Sequence, residues 1–468
     1  MLFNSLEFLI LFLPPVYLIA RRIRGNWLLF WLALASFAFY AFAGHAWFLI
    51  PMAITTTLDY WVGLRLPGAR HPRRYLLVSI FGNLGLLFYF KYSLLTIGTI
   101  EDLGVVLGLS SDHLSAFTEV LRVTLPAGIS FYTFQTLSYV IDIYRHEAEP
   151  ERNLFKYVAF VTFFPHLVAG PLTRHDQLLP QLDRVAREGF VARWREGVFL
   201  FSIGLCKKVL VADRIANVID PVIAQLDQHG MVGCWFAMVG YAIQIYFDFS
   251  GYSDMAIGLG RLFGIELPRN FNSPYQAVSP SDFWRRWHIT LSQWLRDYLY
   301  ISLGGNRISS RRTMINLMAT MILGGLWHGA SWNFALWGAF HGLLLVLHHR
   351  YETWWSSLPR MVQQLATFLL ICIGWVLFRS STIGEAGVWL SGLFGVRSLG
   401  AWGVGFDWTS VEVGCLLLIM LIVALRSRNA QEFDLARLRS PAVAALAVST
   451  VVAVLLMNYS SKFLYFQF

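Results

Sequence analysis

Apolar residues gather in blocks near 5–20, 27–43, 47–64, 75–97, 125–144, 154–170, 195–219, 231–248, 313–326, 331–349, 362–379, 384–396, 409–425 and 441–457, separated by short polar stretches. A hydrocarbon layer roughly 30 Å thick takes about 20 residues of helix to cross. Some blocks are too short, or too rich in Gly and Pro, to be simple spans, so the pattern predicts about eleven to thirteen crossings. The fold class is therefore an all-α polytopic membrane protein. No internal repeat, soluble domain or low-complexity linker interrupts the series, so residues 1–468 are expected to form a single membrane-embedded domain.

One stretch breaks this rhythm. In SPSDFWRRWHITLSQWLRDYLY, residues 279–300, Ser279 can cap a helix, Pro280 suits its first position, and Asp282 completes a capping box. Trp284, Trp287, His288, Leu291, Trp294, Leu295 and Tyr298 recur at steps of three and four, with Arg285, Arg286, Gln293 and Arg296 off that stripe. A basic, Trp-rich amphipathic helix of this kind lies in the membrane interface. His288 falls on its inward side, either as a packed ring or as a working one.

Upstream, Asp248 and Asp254 stand in apolar surroundings among Gly251, Gly258 and Gly260. A charge at membrane depth costs a few kcal/mol, so both aspartates need a partner or a wet cavity, and Arg261 and Arg285 are the expected partners. Downstream, MILGGLWHGASWNFALWGAFHG (321–342) sets His328 between Gly325 and Gly329, with Trp327 and Trp332 beside it. The GxxxG pairs 325/329 and 338/342 suit close helix packing. Packing explains the glycines and leaves open an imidazole that is either a core ring or a general base near neutral pH.

Composition narrows the function. Hydrophobic residues make up 56% of the chain and charged residues 14%, against about 25% in soluble domains. Lys+Arg 37 against Asp+Glu 28 leaves a net charge of +9, but the cations sit in short clusters between apolar blocks. That is the positive-inside bias and not a nucleic-acid surface. Arg21, Arg22 and Arg24 follow the first block, and Arg65, Arg70, Arg73 and Arg74 follow the third. Residues 98–120 hold no Lys or Arg but four acids, which puts that loop outside and the N terminus on the same, periplasmic side. Cys206, Cys234, Cys372 and Cys415 lack CxxC spacing and are expected as small buried hydrophobes. There is no HExxH, Walker A loop, GxSxG elbow or dinucleotide fingerprint, so no metal site or ATP-driven pump is expected.

The motifs together resemble the membrane-bound O-acyltransferase (MBOAT) family, and within it the branch that O-acetylates bacterial alginate. The likeness is carried by FQTLSYVIDIYR (134–145), FFPHLVAGPLTRHDQLLPQL (163–182), the 248–307 stretch ending DYLYISLGGNR, WHGASWNFALWGAFHG (327–342), GWVLFR (374–379) and the terminal FLYFQF (463–468). His166 stands where the family would carry glutamine. The resemblance implies a ring of tilted helices around a central tunnel, with His328 at the family's invariant histidine and His288 at its second. It also implies acetyl transfer from cytosolic acetyl-CoA across the bacterial inner membrane to an exopolysaccharide, directly or through a periplasmic esterase-like or acetyltransferase partner.

On that reading His328 takes the proton of the attacking hydroxyl, while His288 orients a substrate or polarises the thioester carbonyl. Trp327 and Trp284 flank the tunnel, Asp248 or Asp254 holds an imidazole, and Arg285, Arg286 and Lys207/Lys208 attract coenzyme A phosphates. The 98–120 loop and FLYFQF are expected to face the partner. D-alanyl or fatty-acyl transfer, and a polysaccharide or ion transporter, are the alternatives.

Overall fold

The computed structural model describes residues 2–107, 124–396, 408–435, 440–457 and 463–464, and within them every regular element is helical. Observed helices follow the apolar blocks closely: Gly25–Ala43, Leu49–Arg65, Ile129–Tyr144, Ser310–His328, Trp332–Arg350, Arg360–Arg379 and Ser440–Leu456. By length and composition, four helices among the described residues can cross a membrane: Gly25–Ala43, Pro72–Gly104, Met231–Leu262 and Arg360–Arg379. Large apolar side chains such as Trp27, Phe42, Phe81 and Leu11 point outward. Water would penalise that surface and lipid does not.

Contacts divide the chain into two compact units, Met1–Gly197 with Ala256–Pro268, and Val198–Met255 with Arg269–Phe468. The first is built around clustered rings, with Phe12 packing edge-on to Phe164 at 5.4 Å and Phe8 stacking on Phe12 at 5.6 Å. Asp59 is a buried charge met internally, as a hydrocarbon environment demands. The Ser79 hydroxyl (2.6 Å) and the Asn83 amide (2.8 Å) both donate to Asp59. At the position where the family pattern suggested glutamine, His166 accepts from the Gln135 amide at 3.2 Å.

Several sequence expectations change. The 154–170 block is two helices, Leu154–Thr162 and Phe164–Leu167, with Pro165 in the first turn of the second, where its missing N–H costs no helical bond. The 231–248 block runs on to Leu262 and so carries both Asp248 and Asp254. Residues 98–106 continue the helix Ser93–Val106 instead of forming a loop, and the rest of the 98–120 stretch, from 108, lies outside the described residues. Cys415 is exposed, not buried. Of the terminal FLYFQF only Phe463 and Leu464 are described, and both are buried, so this part of the tail is packed away instead of offered to a partner.

The second unit is organised by small residues. A Cβ on Gly325 would stand 2.2 Å from the Phe334 carbonyl oxygen, and one on Gly338 2.3 Å from that of Met321. Only glycine lets the helices Ser310–His328 and Trp332–Arg350 approach this closely. Gly204 and Gly251 make a second close approach, each facing the other's carbonyl oxygen.

Candidate functional site

The two histidines reach the same place by different local devices. His328 is the last residue of the helix Ser310–His328, ahead of the turn that Gly329 begins. Close packing of the glycine-rich hairpin fixes where that helix ends, and His328 is 5% exposed there.

His288 does not lie on a continuous amphipathic helix, which corrects the reading of 279–300. The segment divides into Pro280–Arg286 and Ile289–Trp294, followed by a π-helical turn Leu295–Tyr300. His288 sits at the break with φ 43° and ψ 53°, a left-handed conformation that costs a non-glycine residue about 1–3 kcal/mol. A loop some 18 residues upstream supplies the hydrogen bonds that the break removes. The Asn270 carbonyl accepts from Ile289 N (2.9 Å), its side-chain Oδ1 accepts from Thr290 N (3.3 Å), and Asn272 N donates to the Arg286 carbonyl (2.9 Å). Asn270 thus caps the second helix from a distance.

These devices bring His288 and His328 together with ring centroids 6.3 Å apart. Trp327 touches both rings, at 6.1 Å from His288 and 5.0 Å from His328. Phe249 packs edge-on to His288 at 4.8 Å, and Trp337 and Phe378 flank His328 at 5.1 and 5.5 Å. His288 Nδ1 lies 3.2 Å from Asn270 Oδ1. Beside His328 opens a cavity of about 250 Å³, lined also by Trp284, Leu291, Thr320, Gly324 and Trp337, with Arg296 at its edge. That is slightly below the roughly 300–1,000 Å³ typical of organic-ligand pockets.

The remaining predicted residues divide. Trp327 and Trp284 join the site, one beside both histidines and one in the cavity wall. Arg286 is held by Asp282 (2.9 Å) and the Asn272 carbonyl (3.3 Å), whereas Arg285 is exposed. Asp248 and Asp254 pair with lysines, not with Arg261 or Arg285. Lys208 Nζ lies 2.7 Å from Asp248 and 2.8 Å from Asp213, and Lys207 Nζ lies 2.6 Å from Asp254. Both aspartates are thus paired with lysines, the His288 ring lies instead against Asn270, and buried Lys208 and half-buried Lys207 face carboxylates. Asp248 also accepts from Leu464 N at 2.9 Å, which fastens the tail, and Phe463 packs against Tyr252 at 4.8 Å.

Asn270, Trp337 and Phe378 were missed in the sequence. Trp337 sits nine residues after His328 in the singled-out 327–342 block and carried a signal; Asn270, in the polar run RNFNSP, carried none.

Comparisons with known proteins place the chain among acyltransferases. The model of the MBOAT, membrane-bound O-acyltransferase family matches residues 144–383. The chain is 41% identical to a Pseudomonas aeruginosa protein named "Probable alginate O-acetylase AlgI" over 439 residues, covering 91% of this chain and 81% of that one. An Azotobacter vinelandii protein of the same name is 40% identical, with 91% and 84% covered. A Helicobacter pylori "Peptidoglycan O-acetyltransferase" is 35% identical, with 85% and 81% covered.

Proposed function

The chain belongs to the membrane-bound O-acyltransferase family, and from that premise we propose that it carries acetyl groups from cytosolic acetyl-CoA across the bacterial inner membrane for O-acetylation of an exopolysaccharide such as alginate. It is a multi-pass membrane O-acyltransferase. Relatives named for alginate and peptidoglycan O-acetylation support the acetyl donor and the glycan acceptor. The observation that carries the reading is the meeting of His288 and His328, buried with ring centroids 6.3 Å apart, and the small cavity that His328 lines.

The chemistry needs few parts. The acceptor hydroxyl oxygen attacks the thioester carbonyl carbon, a C–O bond forms, and the C–S bond breaks. His328 takes the hydroxyl proton as the bond forms and returns it to the departing thiolate. Trp284 and Trp337 give the cavity beside His328 an apolar wall that suits an acyl group. His288 either holds the hydroxyl or polarises the carbonyl, two roles that call for opposite tautomers. Exposed Arg285 is a candidate cation for coenzyme A phosphates, since Arg286 is spent on Asp282 and the cavity-lining Arg296 pairs with Asp297. The arginine clusters 21–24 and 65–74 orient the chain with its N terminus in the periplasm. There an esterase-like partner receives the acetyl group and passes it to the polymer.

NMR of the cell's polysaccharides tests the proposal. Removing the gene abolishes O-acetyl esters, the native chain restores them, and a His328→Ala chain at equal abundance does not. Transfer from labelled acetyl-CoA but not from carrier-linked D-alanine is expected in membranes; the reverse contradicts the acetyl reading.

A further inference from the structure

Asn270 Oδ1 faces three groups at once: Thr290 N at 3.3 Å, Thr290 Oγ1 at 2.9 Å and His288 Nδ1 at 3.2 Å. A backbone N–H can only donate, so the Asn270 atom opposite Thr290 N is the amide oxygen and not the amide nitrogen. The amide nitrogen has its own acceptor, donating to Ser253 Oγ at 3.4 Å. The oxygen cannot donate, so the imidazole nitrogen beside it must carry the proton. In neutral histidine the other nitrogen, Nε2, is then a bare acceptor.

We propose that Asn270 is the positioning residue that fixes His288 as its Nδ1–H tautomer, so that His288 Nε2 accepts a hydrogen bond from the attacking hydroxyl and does not polarise the thioester carbonyl. This rests on the acyl-transfer reading of the same site. A carbonyl or oxyanion needs a donor, and neutral His288 held this way has none to offer at Nε2. A hydroxyl needs an acceptor that aligns its oxygen before His328 removes the proton, and Nε2 supplies one. The Asn270 main chain keeps Ile289 N capped (2.9 Å) whatever side chain the residue carries, so side-chain substitutions address the tautomer more than the helix break.

The test uses membranes containing the full chain and its acceptor, with acetyl transfer from labelled acetyl-CoA followed between pH 5 and 9 and normalised to folded protein. Asn270→Asp puts a carboxylate against Nδ1–H and stabilises the imidazolium. The acid limb of the pH–rate profile then moves up by about one unit or more, while transfer persists above it. Asn270→Ala removes the acceptor and lowers kcat about 10- to 100-fold with the KM for acetyl-CoA little changed. An acid limb unmoved in Asn270→Asp, or a native kcat in Asn270→Ala, overturns the assignment. His288→Ala separates the two levels. If it is inactive while the Asn270→Asp limb stays put, only the tautomer assignment fails; if it transfers at the native rate, the histidine-pair reading fails with it.

Discussion

Lys208 has the most to lose from a single substitution. Its ammonium, 3% exposed, holds both Asp248 and Asp213. Lys208→Met removes the cation and leaves two buried carboxylates, which costs about 3–5 kcal/mol. Thermal unfolding of the detergent-solubilised protein should show that loss, and adding Asp248→Asn should recover part of it. From sequence, Lys207 and Lys208 were expected to attract coenzyme A phosphates. Their pairing with residues some 40 positions away depends on the Gly204–Gly251 approach, a tertiary fact. That His328 is buried beside packed glycines was legible from its apolar, glycine-rich run, whereas its role as core ring or general base was not. Asn270 was not, because an asparagine in a polar loop is ordinary and its role depends on a backbone break elsewhere.

At the scale of elements, apolar blocks located most helices to within a few residues, since lipid-facing length is written in composition. The break at His288 escaped for the opposite reason. The three- and four-residue stripe continues through it unchanged, and the compensating hydrogen bonds come from Asn270 and Asn272. The glycine hairpin offers the clearest test of packing. In Gly338→Ala the new Cβ lies 2.3 Å from the Met321 carbonyl oxygen and 2.8 Å from Ile322 Cα, backbone atoms that cannot turn aside. The helices must part, at a cost of about 1–3 kcal/mol. Acetyl transfer should fall with stability, because His328 ends one of the two helices. Gly414→Ala is the control, meeting nothing within 4 Å in the helix Trp408–Arg426, and should leave both measurements near native.

For the molecule as a whole, the low charge content has two parts. Exposed apolar side chains make the outer surface suited to lipid, while polar residues are withdrawn into pairs such as Lys208–Asp248 and Asp59 with Ser79. Phe463 and Leu464 belong to this interior, Phe463 being 2% exposed against Tyr252 and Phe249. Phe463→Ala should cost about 3–5 kcal/mol in thermal unfolding. A tail lying free on the surface would tolerate the change. The central claim is that the buried histidine pair transfers the acetyl group, and its most direct measurement is the rate at which membranes move label from acetyl-CoA to polysaccharide. At matched amounts of folded protein, His328→Ala should reduce that rate to background. Transfer at the native rate by His328→Ala would contradict the account.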